Sequence, residues 1–150
     1  NIQMKLKSKR YNYSIFCFSK FEKPPATQIK FFCDALFLSY KVYFAEISFI
    51  FCDDEYLSGL KLEYFNKNEF TDVISFSLSG NKSNDLEGEV YISLDRALEN
   101  SILYSQDYNK EVMRLIIHGC LHLIGFDDGT EDEKEKMTLI EDKFLGLKKW

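Results

Sequence analysis

The only two histidines in the chain, His118 and His122, stand four residues apart. In a helix that spacing puts both imidazoles on one face, with Cβ atoms about 5–6 Å apart. Both rings can then reach one ion. Gly125 follows, where a helix would stop, and Asp128 lies on the returning chain. Two neutral imidazoles and one carboxylate suit Zn2+, and three protein ligands leave the fourth position to water, as in catalytic sites. Asp127 competes with Asp128 for the ligand role; the tenth position after His118 favours Asp128, leaving Asp127 to orient a histidine or cap the turn.

The elements that position these residues are legible in outline. Val112, Leu115, Ile116, Cys120 and Leu123 give an apolar side to a helix from about Lys110 to Ile124. Gly125 ends it, because glycine takes the left-handed conformation cheaply. Gly119, inside that helix, costs about 1 kcal/mol relative to alanine, so something must approach the backbone there: a strand of a sheet or another helix. Thr130 and Glu133 form a capping-box pattern for a last helix with Met137, Ile140 and Phe144 inward and Gly146 at its end.

Upstream, Tyr11–Phe18 alternates as a strand. Pro24 and Pro25 open a helix whose face carries Ile29, Phe32, Cys33, Leu36 and Tyr40. Phe44–Cys52 is nearly all apolar, as a central strand is. Asp53 caps a helix striped by Leu57, Leu60 and Tyr64. Val73–Leu78 and Glu89–Ser93 are short strands that pair across a polar turn, and Ser93 caps a helix to about Leu103. The expected fold is α+β: one domain over residues 1–150, a small mixed sheet of about four strands, about five helices, and the metal site on a helix and the turn after it.

Composition narrows the rest. With 150 residues, 45% hydrophobic and 16% aromatic, the chain has material for one core and resembles neither a disordered segment nor a disulfide scaffold. Cys17, Cys33, Cys52 and Cys120 form no C-x-x-C pair and read as buried, reduced thiols of a cytoplasmic protein. No apolar run is long enough for a membrane span. A net charge of −5 argues mildly against broad nucleic-acid binding and leaves room for a local basic patch from Lys61, Lys67, Lys82, Arg96 and Arg114, or from Lys5, Lys7, Lys9 and Arg10.

The block HGCLHLIGFDD, from His118 to Asp128, resembles the H-G-x-L-H-L-x-G-Y-D-H motif of the YbeY family of bacterial endoribonucleases. TDVISFSL at Thr71–Leu78 and GEVYIS at Gly88–Ser93 are similar to two further family strands, in the same order. The resemblance runs from Phe44 onward. It implies an α+β domain that uses zinc to cleave single-stranded RNA in ribosomal RNA maturation and ribosome quality control, with the small ribosomal subunit as partner and no DNA or membrane. His118 and His122 match the first two family ligands. Asp128 stands where the family usually has a third histidine, which adds one negative charge and should make bound water less acidic.

A second departure is Phe65, which occupies the place of a family arginine in the segment YFNKNEF, with Lys67 nearby. Arg114, one helical turn before His118, is the candidate phosphate contact. Thr71, Ser75 and Ser77 lie on or beside the motif strand and can bond RNA or simply make a polar edge. Two other readings use the same residues. A ribosome-associated zinc protein need not cleave anything. A zinc metalloprotease-like hydrolase shares the histidine spacing, but Gly119 holds the place of its general-base glutamate.

Overall fold

The computed structural model describes residues 9–79 and 84–150. Four strands form one sheet: β1 (Arg10–Cys17), β2 (Phe44–Cys52), β3 (Val73–Ser77) and β4 (Asp85–Ser93), in the order β1-β2-β4-β3. β1, β2 and β4 run parallel, and β3 lies antiparallel on the edge beside β4. Five helices accompany them among the described residues: α1 (Ala26–Ser39), α2 (Asp54–Phe65), α3 (Leu94–Leu103), α4 (Tyr108–Ile124) and α5 (Glu131–Leu145). The expected α+β architecture with a mixed four-stranded sheet and five helices is the one observed.

β2 is central and apolar because both of its faces are covered. On one face, Ile47, Phe49 and Phe51 join Ile29, Phe32, Leu36 and Phe37 of α1 and Val112, Ile116 and Cys120 of α4 in the main core. On the other, Cys52 and Ile74 meet Leu57 of α2 in a smaller cluster. Each fully buried Leu, Ile or Phe side chain contributes about 1.5–3 kcal/mol through removal from water.

Several local expectations need correction. β4 begins at Asp85, four residues before the expected Glu89, because β2 supplies parallel backbone partners from Phe44 onward. Its alternation starts at Leu86, so the acidic residues there face outward. Of the α2 stripe only Leu57 is buried, and Tyr64 is exposed. α4 starts at Tyr108, not Lys110, because Asp107 caps it by accepting from the Lys110 amide. Cys17 is exposed, whereas the other three thiols are buried; all four are free. Lys5, Lys7 and Lys82 lie outside the described residues.

Caps fall where the residues ask for them. Asp53 and Ser93 accept from Tyr56 and Arg96 amides. Thr130 and Glu133 form the reciprocal capping box. Among the described residues, no helix is long and apolar enough to cross a membrane.

Candidate metal centre

α4 carries both histidines across one face of the sheet. Its close approach rests on Gly119: a Cβ there would lie 2.5 Å from Val90 Cγ1 and 3.2 Å from Val73 Cγ2. The neighbour that excludes a side chain is therefore the β3–β4 part of the sheet, not another helix. Ser75 reinforces the contact, since its hydroxyl donates to the Gly119 carbonyl at 2.8 Å. Ser75 thus faces the helix and serves packing, while Ser77 is exposed.

α4 ends at Gly125, whose φ of 125° lets the chain turn back at once. The turn places the Phe126 carbonyl 2.9 Å from His122 Nδ1. A carbonyl only accepts, so Nδ1 carries the proton and Nε2 presents a lone pair. Phe126 is itself fixed edge-on against Tyr40. Two residues on, Asp128 reaches the histidines. Asp127 faces a different cleft beside Tyr40, Phe126 and Lys136.

His118 is held from the other side by α5. Glu141, nearly fully buried, lies 2.8 Å from His118 Nδ1 through one oxygen and accepts from Arg114 at 3.0 Å through the other. Arg114 donates also to Asp142 at 2.6 Å. Burial works to lower the His118 pKa, but the Glu141 bond and charge, with Asp128 and Asp72, outweigh it and raise the pKa. Burial likewise works to lower the Arg114 pKa, and its two carboxylate partners reverse the direction.

Three atoms now converge. His118 Nε2 and His122 Nε2 are 3.1 Å apart, and Asp128 Oδ2 lies 3.2 Å and 3.4 Å from them. A tetrahedral zinc ion with bonds of about 2.0–2.1 Å holds its donors about 3.3–3.4 Å apart. With both Nδ1 atoms engaged by Glu141 and the Phe126 carbonyl, the two Nε2 atoms and the Asp128 carboxylate face one point. The three ligand-type atoms thus lie at the mutual spacing a bound ion requires, and this group can hold a metal ion.

The group opens on two clefts. One, of about 660 Å³, runs past Arg114, Glu111, Tyr104 and Lys134. The other, of about 330 Å³, runs between β3 and the end of α2, past Lys61, Phe65 and Thr71. Asp72 lines both and is held by the Asn100 amide. Of the basic residues singled out in the sequence, Lys61 and Arg114 reach these clefts. Arg96 is engaged by Asp54 and Glu99, and Lys67 lines neither cleft.

Sequence reasoning missed Glu141 and Asp72. The signal for Glu141 was a single acid among many on α5, and only its burial distinguishes it. Asp72 had a signal in its place within the TDVISFSL strand. The metalloprotease reading loses ground here, because β3 and β4 fill the space a base at position 119 would need.

Comparison with known proteins agrees with this architecture. A profile of the endoribonuclease YbeY family matches residues 16–148. The chain is 44% identical over 105 residues to the endoribonuclease YbeY of Christiangramia forsetii, covering 70% of this chain and 72% of the relative. It is 34% identical over 137 residues to that of Flavobacterium psychrophilum, covering 91% and 94%. A solution structure from Thermotoga maritima shares the fold with a TM-score of 0.62 at 20% identity, over 89% of this chain and 86% of that one. With the matched profile spanning both histidines, Asp128 and Glu141, the chain belongs to the YbeY family of endoribonucleases.

Proposed function

We propose that the protein is a zinc-dependent endoribonuclease that cleaves single-stranded RNA, with ribosomal RNA as substrate and the small ribosomal subunit as partner in the cytoplasm. The observation that carries the reading is the convergence of two Nε2 atoms and one carboxylate oxygen within 3.1–3.4 Å of one another. His118, His122 and Asp128 hold the ion. Zinc bound there supplies Lewis acidity toward a phosphodiester and lowers the pKa of water.

The chain's own residues set up that chemistry. Glu141 and the Phe126 carbonyl hold the Nδ1 protons, which fixes tautomer and ring orientation before any ligand arrives. Arg114, with its guanidinium in two ion pairs, holds Glu141 in place, a role we favour over direct phosphate contact. The two clefts meeting at the group give an RNA strand a way in and a way out. Three protein ligands, rather than four, favour an enzyme over a structural zinc protein.

The test is metal content per chain by elemental mass spectrometry, on protein purified without chelator, beside His122→Ala, followed by cleavage of a labelled single-stranded RNA. One zinc and cleavage in the wild type, and neither in the variant, is the expected result. Cleavage that survives in a metal-free His122→Ala protein would overturn the reading.

A further inference from the structure

The smaller cleft has a chemistry of its own. Lys61 and Phe65 stand four residues apart on the last turns of α2, so both project from one helix face. α2 stops directly after Phe65 because Asn66 takes a left-handed conformation, φ 53°. The pair is thereby left at the cleft wall, opposite Ser75 and the metal-ligating group. Lys61 is the one lysine or arginine lining this cleft among the described residues. Its ammonium lies 5.0 Å from the Phe65 ring centre, and its nearest carboxylate, Glu69, is 3.9 Å away, at the far limit of an ion pair. Its charge is therefore only loosely spent within the protein. Phe65 stacks on Phe76 at 6.0 Å with an interplanar angle of 27°, which fixes its plane, yet it stays 44% exposed.

We infer that Lys61 and Phe65 form a nucleotide-binding subsite: Lys61 takes a phosphate adjoining the scissile bond, and Phe65 stacks the neighbouring unpaired base. The inference rests on the endoribonuclease reading above and adds to it the residues that select a single strand. A loosely paired ammonium is a point charge available to a phosphate. A fixed, half-exposed aromatic ring offers a stacking face, and only unstacked bases can use it. Base-paired RNA keeps its bases stacked on one another and gains nothing from Phe65.

The two contacts leave different signatures. The protein as purified is titrated into a fluorescein-labelled single-stranded oligoribonucleotide, and anisotropy is read across a salt series, with and without chelator. Lys61→Gln is expected to weaken binding about fivefold and to lower the slope of log K against log salt by about 0.7, the share of one phosphate on a single strand. Lys61→Arg restores both. Phe65→Leu, which keeps the packing on Phe76, is expected to weaken binding about fivefold or more with the salt slope unchanged. Lys67→Gln, outside the cleft, leaves affinity and slope at wild-type values. A Lys61→Gln protein with wild-type slope, or a Phe65→Leu protein with wild-type affinity, overturns the subsite. If such variants bind as wild type while wild type still cleaves the oligonucleotide, the subsite alone falls; if wild type neither binds nor cleaves it, the endoribonuclease reading falls as well.

Discussion

Gly119→Ala sets helix propensity against packing, and the structure decides the sign. In an isolated helix the change is a gain of about 1 kcal/mol, because alanine loses less backbone entropy than glycine. Here the new methyl would sit 2.5 Å from Val90 Cγ1, 3.0 Å from Ser75 Oγ and 3.2 Å from Val73 Cγ2. Val90 is fully buried on β4, which is paired on both sides by β2 and β3, so it has nowhere to retreat. Overpacking of this kind costs about 1–3 kcal/mol, and a first contact this short belongs at the upper end. Displacing Ser75 also weakens its bond to the Gly119 carbonyl, worth about 1 kcal/mol. The net expectation is a loss of about 2–3 kcal/mol, or a Tm lower by roughly 4–12 °C for a domain of this size. Urea denaturation and a thermal scan on metal-free protein measure it. Because His118 precedes Gly119, the helix shift should also spread the three donor atoms and weaken zinc. A Gly119→Ala protein as stable as wild type or more so would refute the packing argument, since propensity alone would then account for it.

Glu141→Gln removes the charge behind His118 but keeps an acceptor; zinc affinity, read by competition with a chromophoric chelator, should fall about 10–100-fold with the circular dichroism unchanged. Asp128→His replaces an anionic ligand with a neutral one and should move the pH profile of RNA cleavage to lower pH, and an unmoved profile would sink that reasoning. Glu111 is buried, and burial raises its carboxyl pKa in the folded chain, with Arg114 opposing and Asp72 adding to the shift. A raised folded-state pKa means that the group favours folding most below its unfolded value and loses that contribution as pH rises through the folded value. The stability of Glu111→Gln relative to wild type should therefore increase from pH 4 upward and then level off; a difference constant with pH would count against it.

How much of this was legible beforehand depends on the range of the signal. The histidine pair, Gly125, the capping box and the apolar faces of α1 and α4 rest on residues within one or two helical turns, and local physics specified them. The start of β4 was misplaced because Asp85 and Glu87 look like turn residues; only the parallel partner β2 makes them strand. Tyr64 had the period of a buried residue, but the tertiary neighbour it meets, Phe76 on the edge strand, touches it edge-on and leaves it exposed. Glu141 was invisible for the same reason. Its role depends on how α5 packs on α4, 23 residues from His118, and no local pattern marks one glutamate on an acidic helix.

The surroundings of the site also explain how a chain of net charge −5 can handle a polyanion. Asp128, Asp72, Glu141 and Glu111 crowd one region, and Arg114 is consumed neutralising Glu141 and Asp142. Left to themselves these groups repel phosphate. A bound divalent cation is the largest local charge in such a site and inverts its electrostatics. The carboxylates would then serve the ion, Asp128 as a ligand and Glu141 by orienting His118, and the phosphate would meet a cation instead of the acids. On that account the acidic composition is no obstacle to RNA binding. With the ion in place, binding would depend on metal, and Lys61 is the cation of the smaller cleft that the protein supplies itself.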